Sequence, residues 1–181
     1  MNGIQFLKTA LKNYKTIGAI TQSSRFVAER VCKKLGAAKH IIEYGAGDGI
    51  LTKKILKHLP ADGKIIAVER DAAFLPELMS IPDFRLIVLH EDVVETSKHL
   101  SNLGLPTIDA VVSGIPFTFL EENVRDAVVR ATYDALGKNG VFVLYQCSRL
   151  MLPVLERYFK ATRTYREIRN IPPYFIMCAY K

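Results

Sequence analysis

The chain has 181 residues, of which 49% are hydrophobic, and a formal net charge of +7. This length suits one globular domain and excludes a large second one. No apolar run approaches the roughly 18 residues that a membrane span requires, and the first residues lack a secretory-signal pattern. We therefore expect a cytoplasmic protein whose basic charge favours an anionic partner: nucleic acid, an acidic lipid surface or an acidic small molecule.

The cysteines and histidines show no spacing typical of a metal site. Cys32, Cys147 and Cys178 are odd in number and far apart, and the four histidines are scattered along the chain. Such spacing favours reduced cysteines over a disulfide or metal framework. The sequence therefore predicts no bound metal.

The first 15 residues have a basic and an apolar side. The apolar residues at helical spacing are Ile4, Leu7, Leu11 and Tyr14, and the basic residues on another face are Lys8, Lys12 and Lys15. This pattern predicts a basic amphipathic helix over residues 2–14. Two interpretations stay open. Either the apolar stripe packs on the domain, or residues 1–16 lie in the headgroup layer of an anionic membrane.

Residues 18–24 read Gly-Ala-Ile-Thr-Gln-Ser-Ser and are predicted to form a loop. A helix is expected to follow over residues 25–35, with Ser23 or Ser24 as its N-cap. Residues 1–36 are therefore predicted to form a helical cap on a core made of residues 37–181.

The next segment joins a strand signature to a glycine turn and then to a helix. Residues 41–49 read Ile-Ile-Glu-Tyr-Gly-Ala-Gly-Asp-Gly. Glycines allow close approach of the backbone to a ligand, as in the nucleotide-binding turns of open α/β folds. A dinucleotide fingerprint would need glycine where this chain has Ile50. The flanking acids Glu43 and Asp48 instead suit a cationic nucleoside.

From this turn onward, strand and helix patterns alternate. The predicted strands are 41–44, 64–69, 84–90, 110–113, 141–146 and 174–180, with 165–168 as a further candidate. The predicted helices are 51–58, 72–79, 93–100, 121–136 and 150–159. Such alternation predicts an α/β fold with a mostly parallel central sheet covered by helices on both faces.

Two acidic residues follow the second and third predicted strands. Glu69 lies 20 residues after Gly49, where a carboxylate accepts hydrogen bonds from ribose hydroxyls in nucleotide-binding α/β folds. Asp92 follows the third strand, from which it can reach an adenine amino group. A helix N-cap explains an aspartate at position 92 nearly as well. For Glu69, the alternative to ribose binding is a strand-end carboxylate that faces water.

The fourth strand runs into Ser113-Gly114-Ile115-Pro116-Phe117. Glycine and proline break the strand at its carboxyl end, where open α/β sheets bind their ligands. The ring of Phe117 is predicted to face this pocket and to hold a cationic or planar group. An ordinary hydrophobic turn is the alternative.

In order and spacing, four segments resemble the motifs of class I S-adenosylmethionine-dependent methyltransferases: residues 43–49, 68–70, 91–93 and 113–117. The resemblance covers about residues 18–181. It implies a Rossmann-like fold with S-adenosylmethionine as cofactor, Glu69 on its ribose and Asp92 on its adenine. The cofactor-binding residues that it implies are Gln22, Ser23, Glu43, Gly45, Ala46, Gly47, Glu69, Arg70, Asp92, Val93 and Ser113.

Within that class, the chain looks similar to the phospholipid N-methyltransferases of bacteria and archaea. They share a basic N-terminal helix, a segment like residues 18–24, a Ser-Gly-Ile-Pro turn like 113–116 and an Asn-Ile-Pro-Pro segment like 170–173. The related ribosomal RNA adenine dimethyltransferases hold the target amine with an asparagine. This chain has Gly114 at that position, which disfavours base methylation.

The resemblance implies transfer of a methyl group from S-adenosylmethionine to a primary amine, with phosphatidylethanolamine or a related aminolipid as the expected acceptor. Ser113 and the backbone of Gly114 would orient the nitrogen, and Phe117 would stabilise the methylated ammonium. An RNA or small-molecule methyltransferase and a non-catalytic nucleotide-binding module stay open as alternatives. Peripheral association with an anionic membrane through residues 1–16 stays open beside packing of this segment on the domain.

Overall fold

The computed structural model describes residues 20–170 and 172–181, and only the backbone of residues 20–24. The predicted amphipathic helix over residues 2–14 lies outside the described residues. So do the side chains of Gln22 and Ser23, to which the resemblance gives a cofactor role. The residues that are not described are 1–19 and Ile171.

The described residues form helices and strands in alternation. The helices are α1 (Ile20–Leu35), α2 (Ile50–His58), α3 (Leu75–Met79), α4 (Val93–Ser97), α5 (Glu122–Ala135) and α6 (Leu152–Tyr158). The strands are β1 (His40–Tyr44), β2 (Lys64–Glu69), β3 (Leu86–His90), β4 (Ala110–Ser113), β5 (Val141–Gln146), β6 (Ala161–Glu167) and β7 (Tyr174–Tyr180). Short 3-10 helices cover Leu100–Asn102 and Phe117–Phe119.

The strands form one sheet in the order β3-β2-β1-β4-β5-β7-β6. Strands β1 to β5 are parallel, and β7 is antiparallel to both β5 and β6. The prediction of a mostly parallel α/β sheet is therefore confirmed. Because β6 is antiparallel to β7, it ends at the same edge as β1 to β5. We call this edge the carboxyl edge.

Alternating side chains divide the core into two layers, one on each face of the sheet. Ile42 and Tyr44 belong to the cluster that includes Val128 of α5, whereas Ile41 belongs to the cluster that includes Val27 of α1 and Ile55 of α2. This period of two is what a strand between two helical layers requires. The same alternation places Glu43 on the α2 face.

Several predicted boundaries differ from the structure, and two differ most. Helix α1 begins at Ile20, so residues 20–24 are helical, and neither Ser23 nor Ser24 caps the helix from a preceding loop. Serine favours caps but is tolerated within a helix, so its presence alone does not define the first turn. Strand β6 begins at Ala161 rather than at residue 165. It is one of the two edge strands, and its exposed polar residues hide the alternation that marks a half-buried strand.

Candidate functional site

The glycine turn after β1 depends on backbone angles that other residues rarely adopt. Gly45, Gly47 and Gly49 have φ values of 74°, 55° and 75°. A β-carbon on Gly47 would meet no atom within 4 Å, so open space lies directly over this part of the turn. The backbone N–H groups of Gly45 and Ala46 both donate to the Val68 carbonyl, at 2.9 and 3.1 Å. The turn is therefore held against the end of β2 and leaves its outer side accessible to a ligand.

Glu69 connects this turn to the loop after β2. One carboxylate oxygen accepts a 2.8 Å hydrogen bond from the N–H of Gly47, and the other accepts one of 2.8 Å from the N–H of Asp71. Only 7% of Glu69 is exposed. The alternative of a strand-end carboxylate facing water is therefore not what the structure shows. Glu69 lies in contact with the glycine turn, as a ribose-binding carboxylate requires.

Glu43 is a buried acid beneath the same turn. Its Oε2 accepts a 2.6 Å hydrogen bond from the hydroxyl of Thr52 on α2, whereas its Oε1 is buried without a hydrogen-bond donor among the described residues. Burial raises the pKa of Glu43 to about 8. A buried acceptor without a donor is unusual, and a polar or cationic ligand group would satisfy it.

Asp92 is the N-cap of α4, which is one of the two functions that the sequence left open for it. Its Oδ1 caps α4 by accepting a 2.9 Å hydrogen bond from the N–H of Val94. Its Oδ2 accepts a 3.1 Å hydrogen bond from Arg70, which comes from the loop after β2. Val93 is buried beside it. The structure therefore brings Arg70, Asp92 and Val93 to the carboxyl edge on the side of the glycine turn where β2 and β3 end.

Together these residues fit an S-adenosyl group. Open space lies over Gly47, carboxylates stand beside it, and a buried oxygen of Glu43 lacks a donor. No group of three metal-binding side chains occurs among residues 25–170 and 172–181.

Comparison with known proteins points to one class. No family model matches the chain. The ornithine lipid N-methyltransferase of Singulisphaera acidiphila is 26% identical over 173 residues, which are 93% of this chain and 90% of that protein. The N-methyltransferase NodS of Bradyrhizobium japonicum WM9, in complex with S-adenosyl-L-homocysteine, matches with a TM-score of 0.74 at 11% identity, covering 100% of this chain and 99% of NodS.

The 1,6-didemethyltoxoflavin-N1-methyltransferase of Burkholderia thailandensis matches with a TM-score of 0.70 at 14% identity, covering 98% of this chain and 84% of that one. The chain is an S-adenosylmethionine-dependent methyltransferase with the Rossmann-like fold of the class I enzymes. At these identities the solved structures establish the fold, and the lipid N-methyltransferase extends the likeness over nearly the whole sequence. The predicted class and cofactor are therefore confirmed.

The methyltransferase brings the turn after β4 against its glycine turn. Ser113 is fully buried, and its hydroxyl accepts a 3.4 Å hydrogen bond from the N–H of Ile115. A β-carbon on Gly45 would lie 2.5 Å from Cγ2 of Ile115. The N–H of Gly114 donates to the Tyr44 carbonyl at 3.4 Å. The two segments that were singled out from sequence are therefore adjacent in space.

Tyr145 of the methyltransferase covers Gly114. A β-carbon at Gly114 would lie 2.5 Å from Cζ of Tyr145 and nearer still to its hydroxyl oxygen, so a side chain at this position requires the Tyr145 ring to move. Tyr174 of β7 lies beside this ring, with the two ring centres 6.3 Å apart. Sequence reasoning missed Tyr145. The available signal was a single phenol near the end of an otherwise apolar strand, Val141–Gln146.

Phe117 is not at the surface of the site. Its side chain is fully buried in the core cluster that includes Tyr44, Val128 and Leu144. The interpretation of this ring as the aromatic wall of an acceptor pocket therefore differs from the structure. The turn after β4 closes into a 3-10 helix, Phe117–Phe119, which directs Phe117 into the core, as the hydrophobic-turn alternative predicts.

Proposed function

We propose that this methyltransferase transfers a methyl group to the primary amine of an aminolipid headgroup, with phosphatidylethanolamine or an ornithine lipid as the acceptor. The observation that carries the proposal is the likeness to an ornithine lipid N-methyltransferase across 93% of the chain. It is supported by the glycine at position 114, because this chain has the Tyr145 ring packed where the related RNA enzymes have a base-binding asparagine.

The acceptor nitrogen is proposed to lie beside Gly114, between the glycine turn and Tyr145. The backbone carbonyl at Gly114 is proposed to accept a hydrogen bond from the amine, and the fully buried Ser113 supports this turn through its contact with Ile115. The Tyr145 and Tyr174 rings supply aromatic faces for a methylated ammonium. Tyr145 thus takes the part that the sequence gave to Phe117, and Tyr174 was already a less certain candidate for it.

Methyl transfer to an amine requires mainly that the nitrogen be aligned with the methyl carbon. S-Adenosylmethionine supplies a methyl carbon on a positively charged sulfur that leaves as a neutral thioether. The amine attacks with its lone pair, so it must lose a proton first, and a site shielded from water favours the neutral amine. The protein contributes by holding the nitrogen in line with the methyl carbon, which supplies much of the rate in such displacements.

Membrane association is part of the same proposal. No helix in the described ranges 20–170 and 172–181 is long and apolar enough to cross a bilayer. A headgroup amine must then be reached from the membrane surface. The basic segment 1–16, with lysines at positions 8, 12 and 15, is proposed to lie on that surface, and the chain is proposed to work as a peripheral protein at the cytoplasmic side.

The test uses the full chain and radiolabelled S-adenosylmethionine. Three samples are incubated separately: vesicles containing phosphatidylethanolamine, vesicles containing ornithine lipid, and total RNA. The proposal expects label in a lipid fraction and none in RNA. A Glu69→Ala variant provides the matched negative control because it lacks the carboxylate at the glycine turn. Labelled RNA, or cofactor binding without any transfer, would contradict the proposal.

A further inference from the structure

The carboxyl edge, at which the proposed acceptor site lies, carries exposed apolar side chains. Leu150 follows β5 and is 43% exposed, and Ile168 follows β6 and is 68% exposed. Both lie in connections that leave the edge at which Gly114 lies. The start of β7 separates them, and Phe175 there pairs with Gln146 of β5 and Arg166 of β6. The two residues therefore flank one short stretch of the sheet edge.

Arginines stand directly beside these apolar residues. Arg149 precedes Leu150 and places its guanidinium carbon 5.4 Å from the ring centre of Phe175. Arg169 follows Ile168 and lies 4.2 Å from the ring centre of Phe26 on α1. Arg25 lies 4.8 Å from the same ring. We call Arg25, Phe26, Arg149, Leu150, Ile168 and Arg169 the basic rim.

Ion pairs hold the part of the rim that comes from the β6–β7 hairpin. Arg169 donates two hydrogen bonds of 2.7 Å to the buried carboxylate of Glu167, and Arg30 of α1 lies 3.4 Å from the same carboxylate. Two cations thus meet one buried anion, and Arg25 and Arg149 add further positive charge. The hairpin is therefore fixed to α1 and the rim keeps a net positive charge.

We propose that the basic rim docks on the surface of an anionic lipid bilayer, with Leu150 and Ile168 entering the boundary between headgroups and acyl chains. This inference rests on the proposed aminolipid function. Positive charge around exposed aliphatic side chains complements an anionic interface, whereas a nucleic-acid backbone offers no apolar layer for Ile168. Phe119 is also exposed at this edge but is followed by Glu121 and Glu122, so we leave it outside the rim.

The chain enters the described structure on the same side. Helix α1 leads from Ile20 to Leu35 and then to the amino end of β1, so its first residues lie toward the carboxyl edge, where Phe26 contacts Arg169. The basic residues of segment 1–16 precede this point in the sequence. Docking through the rim brings the headgroup layer to the turn at Gly114 without moving the fold.

The test measures sedimentation of the full chain with vesicles in the absence of cofactor. Vesicles of phosphatidylglycerol and phosphatidylethanolamine are compared with vesicles of phosphatidylcholine alone. The double variant Leu150→Ser/Ile168→Ser should need about tenfold more anionic lipid for half-maximal binding, because two aliphatic side chains no longer enter the interface. Arg149→Gln should weaken binding at low salt and have a smaller effect at high salt.

Phe84→Ser is the matched control. Phe84 is 86% exposed but lies before β3, at the opposite edge of the sheet, so its loss should leave vesicle binding unchanged. Thermal midpoints and calorimetric titration with S-adenosylhomocysteine show that each variant remains folded.

The proposal would be overturned by vesicle binding that the double variant retains in full, by an equal loss in Phe84→Ser, or by equal binding of the unaltered chain to neutral and anionic vesicles. A chain that stays in the supernatant with anionic vesicles would also overturn it. Because sedimentation needs no methyl transfer, rim-dependent binding without lipid methylation would support the docking surface and count against the proposed function alone.

Discussion

Tyr145 lies over the backbone of Gly114, so close that a β-carbon at position 114 would overlap the phenol ring. Gly114 is not among the glycines with a positive φ. Its lack of a side chain therefore matters for its contact with Tyr145, whereas its backbone conformation is one that other residues also adopt. Gly114 directly follows β4, and Tyr145 lies on the neighbouring parallel strand β5. Together they form one feature of the proposed acceptor site.

The Gly114→Ala substitution should lower both stability and amine turnover. The added methyl group must displace the Tyr145 ring, and overpacking of this kind costs about 1–3 kcal/mol. In a Tyr145→Ala background the same substitution should cost much less, because the obstacle is gone. Denaturant unfolding of the four chains in this cycle measures the difference. An equal cost in both backgrounds would contradict the contact.

Glu69 should control cofactor affinity. Glu69→Ala removes the carboxylate that contacts the N–H groups of Gly47 and Asp71, and we expect S-adenosylhomocysteine affinity to fall at least about tenfold. Glu69→Gln keeps one oxygen acceptor, so its affinity for S-adenosylhomocysteine should lie between those of the unaltered chain and of Glu69→Ala. Calorimetric titration measures these affinities. The control is Glu77→Ala, an exposed acid on α3, which should bind as the unaltered chain does. Unchanged binding by Glu69→Ala would refute this role.

Asp92 allows the cap function and the cofactor function to be separated. Asparagine is as good an N-cap as aspartate, so Asp92→Asn should keep the stability of α4 while weakening cofactor binding. Asp92→Ala should lose the cap as well and about 1 kcal/mol of stability with it. Thermal unfolding and calorimetric titration of both variants separate the effects. If Asp92→Asn binds the cofactor as tightly as the unaltered chain, Asp92 is only a cap.

The sequence was sufficient for the elements whose pattern is local. Strands β2, β4, β5 and β7 were predicted with the bounds that the structure has, because continuous apolar runs between polar turns define buried strands. The glycine turn and Glu69 were also predicted, since their spacing along one βαβ unit places them together. These features need no knowledge of distant contacts.

The acceptor side depends on contacts between distant parts of the chain, and there the predictions were less accurate. Whether Phe117 faces a pocket or the core depends on how the turn after β4 closes, which its own residues do not decide. Tyr145 gains its importance only because β5 lies next to β4 in the sheet. In the same way, the Arg169 contact with Phe26 joins residues that are far apart in sequence.

Glu43 should make stability fall as pH rises from about 5 to 8. Burial raises its pKa from 4.5 to about 8, so the folded chain keeps the proton in a range where the unfolded chain has already lost it. Unfolding then releases a proton, and higher pH favours the unfolded state. Below pH 4.5 both states are protonated and the penalty is absent. Above about pH 8 both are ionised and the penalty levels off.

Glu43→Gln removes this titration while keeping the size of the side chain. The thermal midpoint of the variant, relative to that of the unaltered chain, should therefore rise between pH 5 and pH 8. The corresponding change in relative unfolding free energy is on the order of a few kcal/mol. Glu77→Gln on the exposed face of α3 should show no such trend. A relative midpoint for Glu43→Gln that is constant over this range would mean that Glu43 is ionised in the folded chain. Its Oε1 would then have a donor, and the argument for a ligand group beside it would fail.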